Sequence, residues 1–276
     1  MYQILKKTYL AENAVEYVIS APLVARHCKS GQFIILRVDE EGERVPFTIC
    51  DYDRAAGTVT ILVQTVGYST MKLAEKQQGE YIADFVGPLG NATDLDEFQN
   101  IVLVGGGIGT AVIYPQAKSL SSEGKRPTVI IGARNKELLM YEDGFRANSK
   151  NLIVMTDDGS YGQKGFVTQA LEKLLCEDKT IDCVFAVGPL PMMRAVCQLT
   201  RPFGVKTIVS MNSIMVDGTG MCGGCRLTVN GETKYACVHG PEFDGHAVDF
   251  DEAISRSKMY KEQETAHVCR LTGGNR

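Results

Sequence analysis

The chain has 276 residues, 44% of them apolar and 22% charged, enough to bury two or three separate cores. A formal net charge of -4 leaves no basic footprint and argues against nucleic acid or an anionic membrane surface as the main partner. Residues 1–20 carry no continuous apolar stretch of the secretory kind and no long apolar run follows, so we expect no membrane span and a cytoplasmic protein. Nine cysteines, an odd number spread over a large chain, suit a reducing compartment better than a disulfide framework.

Residues 1–98 hold short runs rich in β-branched and aromatic residues: EYVIS, QFIILRV, PFTICD, GTVTILVQ and EYIADF. One helix, from about Ser69 to Lys76, interrupts them, and strands at this spacing predict an antiparallel β-barrel. Two stretches stand out. In RVPFTIC, Arg44 can clamp a phosphate. In VGYST, Gly67, Ser69 and Thr70 open the helix with N–H and hydroxyl donors. Each also has an ordinary reading, a solvated arginine and a plain helix cap.

From Ile101 the pattern changes to apolar runs alternating with helical ones: IVLV, Thr110 to Ser122, TVIIGA, NLIVM, Gly165 to Cys176, CVFAV, Pro191 to Leu199 and TIVSM. This alternation predicts a doubly wound parallel α/β domain over residues 99–210. In IVLVGGGIGT, Gly105, Gly106, Gly107 and Gly109 lie between a buried strand and a helix, where a backbone without Cβ atoms can approach a pyrophosphate. Thr110 stands where G-x-G-x-x-G has its last glycine, and a turn needed only for packing remains the alternative. Ligands of such sheets sit beyond the carboxyl ends of the strands. The Val187-Gly188-Pro189 turn and the DDGSYGQKG loop, with Asp157, Asp158, Gly159 and Ser160, lie on that edge. GARNKELL adds Arg134 and Lys136, cations that a 2'-phosphate would require.

Residues 211–276 follow neither pattern. A hairpin, CRLTVNGETKYAC, is predicted to turn at Asn230-Gly231, and a polar tail, ISRSKMYKEQETAHV, reads as a docking surface or a loose end. No repeat or long linker separates the three parts, which are expected to pack as one body. The spacing Asp217-x4-Cys222-x2-Cys225-x11-Cys237 runs through a glycine-rich loop. Plant-type 2Fe-2S sites use C-x4-C-x2-C and a distant fourth cysteine, so aspartate occupies the first thiolate's place. Three readings compete: a cluster on Cys222, Cys225, Cys237 and Asp217; a zinc site on the three cysteines and His239; or unligated cysteines in a turn. The crowd of glycines favours the cluster, with Cys269 as an alternative fourth ligand. Cys28, Cys50, Cys176, Cys183 and Cys197 are expected to pack as small buried hydrophobes.

In this order the motifs R-x-P-[FY]-[ST], G-x-S-T, GGGxG and V-G-P resemble the ferredoxin reductase superfamily of flavoproteins over residues 1–210. With DGTGMCGGC and Cys237 added, the whole chain resembles the electron-transfer subunits of dihydroorotate dehydrogenase B and their relatives, in particular the small subunits of NADH-dependent ferredoxin:NADP+ oxidoreductases. The resemblance implies that Arg44, Pro46, Phe47 and Thr48 lie on FAD, and that Gly67, Ser69 and Thr70 hold its pyrophosphate. It further implies that Gly105 to Thr110, Asp157, Gly159, Gly188 and Pro189 bind NAD(H). Many relatives have cysteine where Val187 stands. The implied activity is an oxidoreductase subunit: NADH as substrate, hydride to flavin, single electrons to the 2Fe-2S cluster, and no acid, base or nucleophile. A larger iron-sulfur flavoprotein subunit would receive the electrons and deal with ferredoxin and NADP. The rival readings are a dihydroorotate dehydrogenase subunit, expected to carry cysteine at 217, and a non-catalytic zinc-containing module.

Overall fold

A computed structural model of the chain describes residues 1–271. The first seven strands are β1 (Tyr2–Ala11), β2 (Ala14–Ser20), β3 (Phe33–Arg37), β4 (Arg44–Asp53), β5 (Thr58–Gln64), β6 (Tyr81–Ile82) and β7 (Asp84–Leu89). They form one curled antiparallel sheet in the order β6-β1-β2-β5-β4-β3-β7, the expected barrel architecture. The period-2 burial of β2 and β5 turns Val15, Tyr17, Ile19, Val59, Ile61 and Val63 inward. Helix α1 (Pro22–His27) starts with proline in its first turn, and α2 (Tyr68–Glu75) inserts Leu73, fully buried, into the barrel core. The Tyr17 hydroxyl donates to the Leu73 carbonyl at 2.9 Å, tying the helix to β2.

The second sheet has the order β11-β10-β9-β8-β12-β13-β16. Its parallel strands are β8 (Ile101–Gly106), β9 (Thr128–Ala133), β10 (Asn151–Thr156), β11 (Gln163–Lys164), β12 (Cys183–Val187) and β13 (Lys206–Ser210). Helices α3 (Gly109–Ser122), α4 (Glu142–Asn148), α5 (Val167–Glu177) and α6 (Leu190–Thr200) connect them. β8 and β12 are buried along their whole length, as strands covered on both faces must be. The chain builds outward from β8 to β10 and then returns to pair β12 with β8, so the switch point lies between those two strands. Cys176 is an exception to the expected burial. It is exposed on α5, because Leu171 and Leu175 take the core-facing positions and the next residue turns about 100° away.

The last part begins with the hairpin β14 (Arg226–Val229) and β15 (Glu232–Tyr235), turned at Asn230 (φ 51°) and Gly231 (φ 77°) as a type I′ turn requires. After α7 (Ala236–His239), β16 (Glu242–Asp244) pairs antiparallel with β13 at the edge of the nucleotide sheet. The polar tail is neither loose nor unstructured where described: it forms α8 (Phe250–Arg256), capped by the Asp249 carboxylate on the Glu252 N–H, and α9 (Lys261–Leu271). α9 returns to the barrel, where His267 meets Tyr68 of α2 edge to face at 6.0 Å. A single core cluster includes Phe33 and Ile35 of the barrel, Val209 of β13, and Cys225, Leu227 and Cys237 of the last part. Among the described residues no helix is long and apolar enough to cross a membrane.

Candidate functional site

A cleft of about 1850 Å³ runs between the barrel, the carboxyl edge of the parallel sheet and the cysteine loop. It exceeds what a drug-sized ligand fills, roughly 300–1000 Å³, and has room for more than one large ligand.

On the barrel side β4 contributes Arg44, Pro46, Phe47 and Thr48, and α2 contributes Gly67, Tyr68, Ser69 and Thr70. Arg44 is exposed and has no ion pair among the described residues. A carboxylate or phosphate oxygen reaching it would meet an unspent guanidinium. Thr70 is already engaged: its hydroxyl accepts from the Gly67 N–H at 3.0 Å and donates to the Gly67 carbonyl at 2.8 Å, the cap its position suggested. Ser69 donates to Glu43 at 3.2 Å. Tyr68, Tyr260 and His267 line the same wall; Tyr68 lay inside the quoted motif, whereas α9 offered no sequence signal.

On the sheet side, Gly106, Gly107, Gly109, Gly188 and Pro189 line the cleft, while Gly105 and Thr110 are buried behind it. The glycines serve two purposes that the geometry separates. A Cβ on Gly109 would stand 2.3 Å from the Val187 carbonyl oxygen, so its absence lets α3 abut β12. Gly107 has φ 55° and nothing within 4 Å of where its Cβ would be, so its bare face is turned to open space in the cleft. Its N–H donates to the Gly132 carbonyl at 2.8 Å, and among the described residues the N–H groups of Ile108 and Gly109 carry no hydrogen bond. These two donors at the start of a 14-residue helix suit an anion. The Met192 side chain, missed in the sequence, lies across both glycine turns.

Asp157 and Arg134 line the far end of this edge beside Phe166, which is 62% exposed. Gly159 does not reach the cleft; it turns the following loop with φ 79°. Lys136 also faces elsewhere, over the Tyr161 ring at 5.2 Å. The Asn135 side-chain oxygen in the same loop is buried without a partner among the described residues.

The cysteine loop reaches the cleft through Cys222 and Gly224, and is pressed on the barrel at Gly218, where a Cβ would come within 2.8 Å of Leu89 and Ile35. Cys225 and Cys237 are buried with their sulfurs 3.3 Å apart. The Cys237 N–H points at the Cys225 sulfur and the Gly224 N–H at the Cys222 sulfur, both at 3.4 Å. Two buried thiols and the exposed Cys222, with backbone N–H groups directed at two of the three sulfurs, are donors of the kind an iron-sulfur cluster takes. Burial, and then the neighbouring Cys225, push the Cys237 thiol up to about 12, so a metal ion would have to displace its proton on binding.

The Asp217 carboxylate accepts from the Thr219 and Cys222 N–H groups, each at 2.7 Å, and these bonds hold it below the usual carboxylate range. His239 is engaged through Nδ1 by the Tyr235 N–H at 2.9 Å, and Cys269 sits on α9, against α2. Among the described residues no three His, Cys, Asp or Glu side chains converge as a closed metal-ligand set in this conformation.

Residues 212–249 match the family model for the iron-sulfur cluster binding domain of dihydroorotate dehydrogenase B. The chain is 47% identical over 262 residues to an electron-transfer subunit homologue of dihydroorotate dehydrogenase B from Thermotoga maritima, covering 95% of this chain and 92% of that one. It is 36% identical to the electron-transfer subunit of that enzyme from a Geobacillus species, covering 85% and 92% of the two chains. A solved structure of NADH-dependent reduced ferredoxin-NADP oxidoreductase, studied for flavin-based electron bifurcation, superposes with a TM-score of 0.94 at 43% identity, covering 99% and 98%.

Proposed function

This chain belongs to the family of electron-transfer subunits of dihydroorotate dehydrogenase B and their homologues, and we propose that it carries electrons between NAD(H), FAD and a 2Fe-2S cluster for a larger partner subunit. One observation carries the reading: the barrel motif, the glycine turns and the cysteine loop, far apart in sequence, line a single cleft. When bound, the flavin exchanges a pair of electrons with nicotinamide and single electrons with an iron-sulfur centre.

The protein's residues then have positioning tasks. Arg44 and the N-terminus of α2 hold the flavin pyrophosphate, and Pro46, Phe47 and Thr48 flank its ring. Ile108 and Gly109 give N–H groups to the nicotinamide nucleotide, while Gly107, Gly188 and Pro189 let it approach the sheet edge and Asp157 takes its ribose. Arg134 alone of the two sequence candidates lines the cleft, which also carries the acidic Asp157, while Lys136 lies over Tyr161; one cation is a poor setting for a 2'-phosphate and supports NAD over NADP. Cys222, Cys225 and Cys237 hold iron, with Asp217 as fourth ligand. The apolar side chains of Ile35 and Leu89 against Gly218 hold the cysteine loop on the barrel, so that a cluster bound there would be fixed relative to the flavin domain. No side chain is assigned a proton transfer to a substrate carbon.

The partner is read as an iron-sulfur flavoprotein that deals with ferredoxin and NADP, supported by the bifurcating relative. Nine cysteines without a disulfide among the described residues fit a cytoplasmic setting. The test is purification of the chain alone and with the partner from its native source. The chain alone is expected to show flavin and iron-sulfur absorbance and to reduce dyes with NADH at a far lower KM than with NADPH. Full physiological activity without a partner, or a colourless zinc-bearing protein, would overturn the proposal.

A further inference from the structure

Where the three parts of the chain meet, away from the cleft, a carboxyl group is enclosed by groups that leave it one chemically consistent state. Glu242 lies on β16, five residues beyond Cys237. Its Oε1 is 2.6 Å from the hydroxyl of Thr93, in the segment that leads from β7 to β8. The Thr93 hydroxyl in turn is 2.9 Å from the side-chain amide of Gln116 on α3, a residue only 1% exposed. Gly31 of the barrel packs on both: a Cβ there would fall 2.1 Å from the Thr93 hydroxyl and 2.8 Å from Glu242 Oε1. The backbone is stitched at the same place, Thr93 N–H to Ser30 O at 2.9 Å, Asn91 N–H to Gly240 O at 2.7 Å and Met211 N–H to Pro241 O at 2.8 Å.

The direction of these hydrogen bonds follows from the amide. The Gln116 amide is satisfied when its nitrogen donates to the Val112 carbonyl and its oxygen accepts from the Gly31 N–H at 3.2 Å and from Thr93 at 2.9 Å; the reverse orientation sets oxygen against oxygen and donor against donor. Thr93 has one hydroxyl hydrogen, and in this arrangement Gln116 receives it. The 2.6 Å contact between Thr93 and Glu242 is then a hydrogen bond only if Glu242 supplies the hydrogen.

We propose that Glu242 is a positioning residue that holds a proton, donates it to Thr93, and through Thr93 and Gln116 fixes the cysteine-bearing segment against both the barrel and the nucleotide sheet. The proposal rests on the reading of the Cys222 to Cys237 loop as the cluster segment. Burial raises this carboxyl to about 7, with Asp94 adding to the shift; only a Thr93 hydroxyl turned to donate to the carboxylate, the reverse of the arrangement above, would oppose it. Asp94 in the same linker and Cys183 on β12 are the titratable groups that bear on it, while Gly31, Gln116 and Ser210, its pairing partner on β13, are uncharged. A carboxyl raised in the fold steadies it below the unfolded pKa and loses that contribution as pH climbs through about 7. Deprotonation removes the donor to Thr93, so the Thr93 hydroxyl must turn to Glu242 and the Gln116 amide must reverse against Val112 and Gly31.

The experiment uses the holoprotein, its Glu242→Gln form, whose amide donates to Thr93 at every pH, and Thr93→Val, which breaks the relay. At about pH 5.5 the infrared difference between wild type and Glu242→Gln should contain the carbonyl stretch of a protonated carboxylic acid, absent at about pH 8.5. The melting temperature of the wild type should fall between these pH values by several degrees more than that of Glu242→Gln. The rate of cluster reduction after mixing with NADH should lose its pH dependence in Glu242→Gln and drop severalfold at both pH values in Thr93→Val. No acid band, equal melting shifts, or a Glu242→Gln rate that keeps the wild-type pH profile would each overturn the proposal. The infrared and melting arms need no cluster. Loss of iron-sulfur absorbance in all forms would instead sink the reading of the cysteine loop.

Discussion

Replacing Gly107 and Gly109 separately by alanine divides the work of the glycine turn into its packing and binding parts. At Gly107, φ is 55° and the new methyl meets nothing within 4 Å, so the fold loses only the backbone preference, about 1 kcal/mol. For a chain this size that is a fall in Tm of roughly 2–4 °C. The methyl projects into the space assigned to the nucleotide, and KM for NADH should rise by about tenfold or more, about 1.4 kcal/mol, with FAD content unchanged. At Gly109 the methyl would stand 2.3 Å from the Val187 carbonyl oxygen and 2.8 Å from the Gly188 nitrogen, both backbone. α3 and β12 must part to admit it, and overpacking of that kind costs about 1–3 kcal/mol. Gly109→Ala should therefore melt earlier than Gly107→Ala and also bind NADH poorly, because the two loops at the switch point move apart. Differential scanning fluorimetry and steady-state kinetics with NADH read both effects. If Gly107→Ala keeps the wild-type KM while losing the expected stability, no pyrophosphate approaches this turn and its glycines serve packing alone.

Cys225→Ser should abolish iron-sulfur absorbance and leave the flavin spectrum and NADH-dependent flavin bleaching intact; a retained cluster would remove Cys225 from the ligand set. Asp217→Cys should keep the cluster but change its EPR spectrum and potential, whereas identical spectra would mean that Asp217 only closes the loop on Thr219 and Cys222. Leu73→Ala, at a fully buried position, should cost about 2–5 kcal/mol and lower flavin retention, since α2 carries Ser69 and Thr70; chemical denaturation gives the number. Lys118→Met breaks the ion pair of α3 with Asp51 of β4, 2.7 Å long but with both side chains about two-fifths exposed, so the unfolding free energy should change by less than about 1 kcal/mol and the melting temperature should hardly move.

The strands of the nucleotide sheet were legible because IVLV, TVIIGA and CVFAV are buried on both faces and leave uninterrupted apolar runs. β1 was not, since Ile4 is its sole buried residue and its lysines and tyrosines read as surface. α4 follows Tyr141, whose φ is 59°, and buries only Phe145, and β16 is three residues long, held by the edge of a strand formed some thirty residues earlier. The site motifs were visible where one short stretch supplies both turn and donor, as at 105–109 and 217–225. Residues that enter the cleft from another element, such as Met192, Tyr260 and His267, carry no local mark. The Glu242 relay is invisible for the same reason: a glutamate after a proline gains meaning only when Thr93 and Gln116 are brought beside it.

The pairing of β16 with β13 has a consequence for how fast electrons can leave. The strand that follows Cys237 is wired into the nucleotide sheet as its outermost member, and Gly218 is clamped on the barrel, so a redox centre held by the proposed cysteines would be bolted to the frame rather than hung on a tether. A centre on a tether delivers charge as often as it swings into range, and a viscous solvent slows it. A bolted one works at constant gap, and added glycerol should leave the flavin-to-cluster step as fast as it is in buffer.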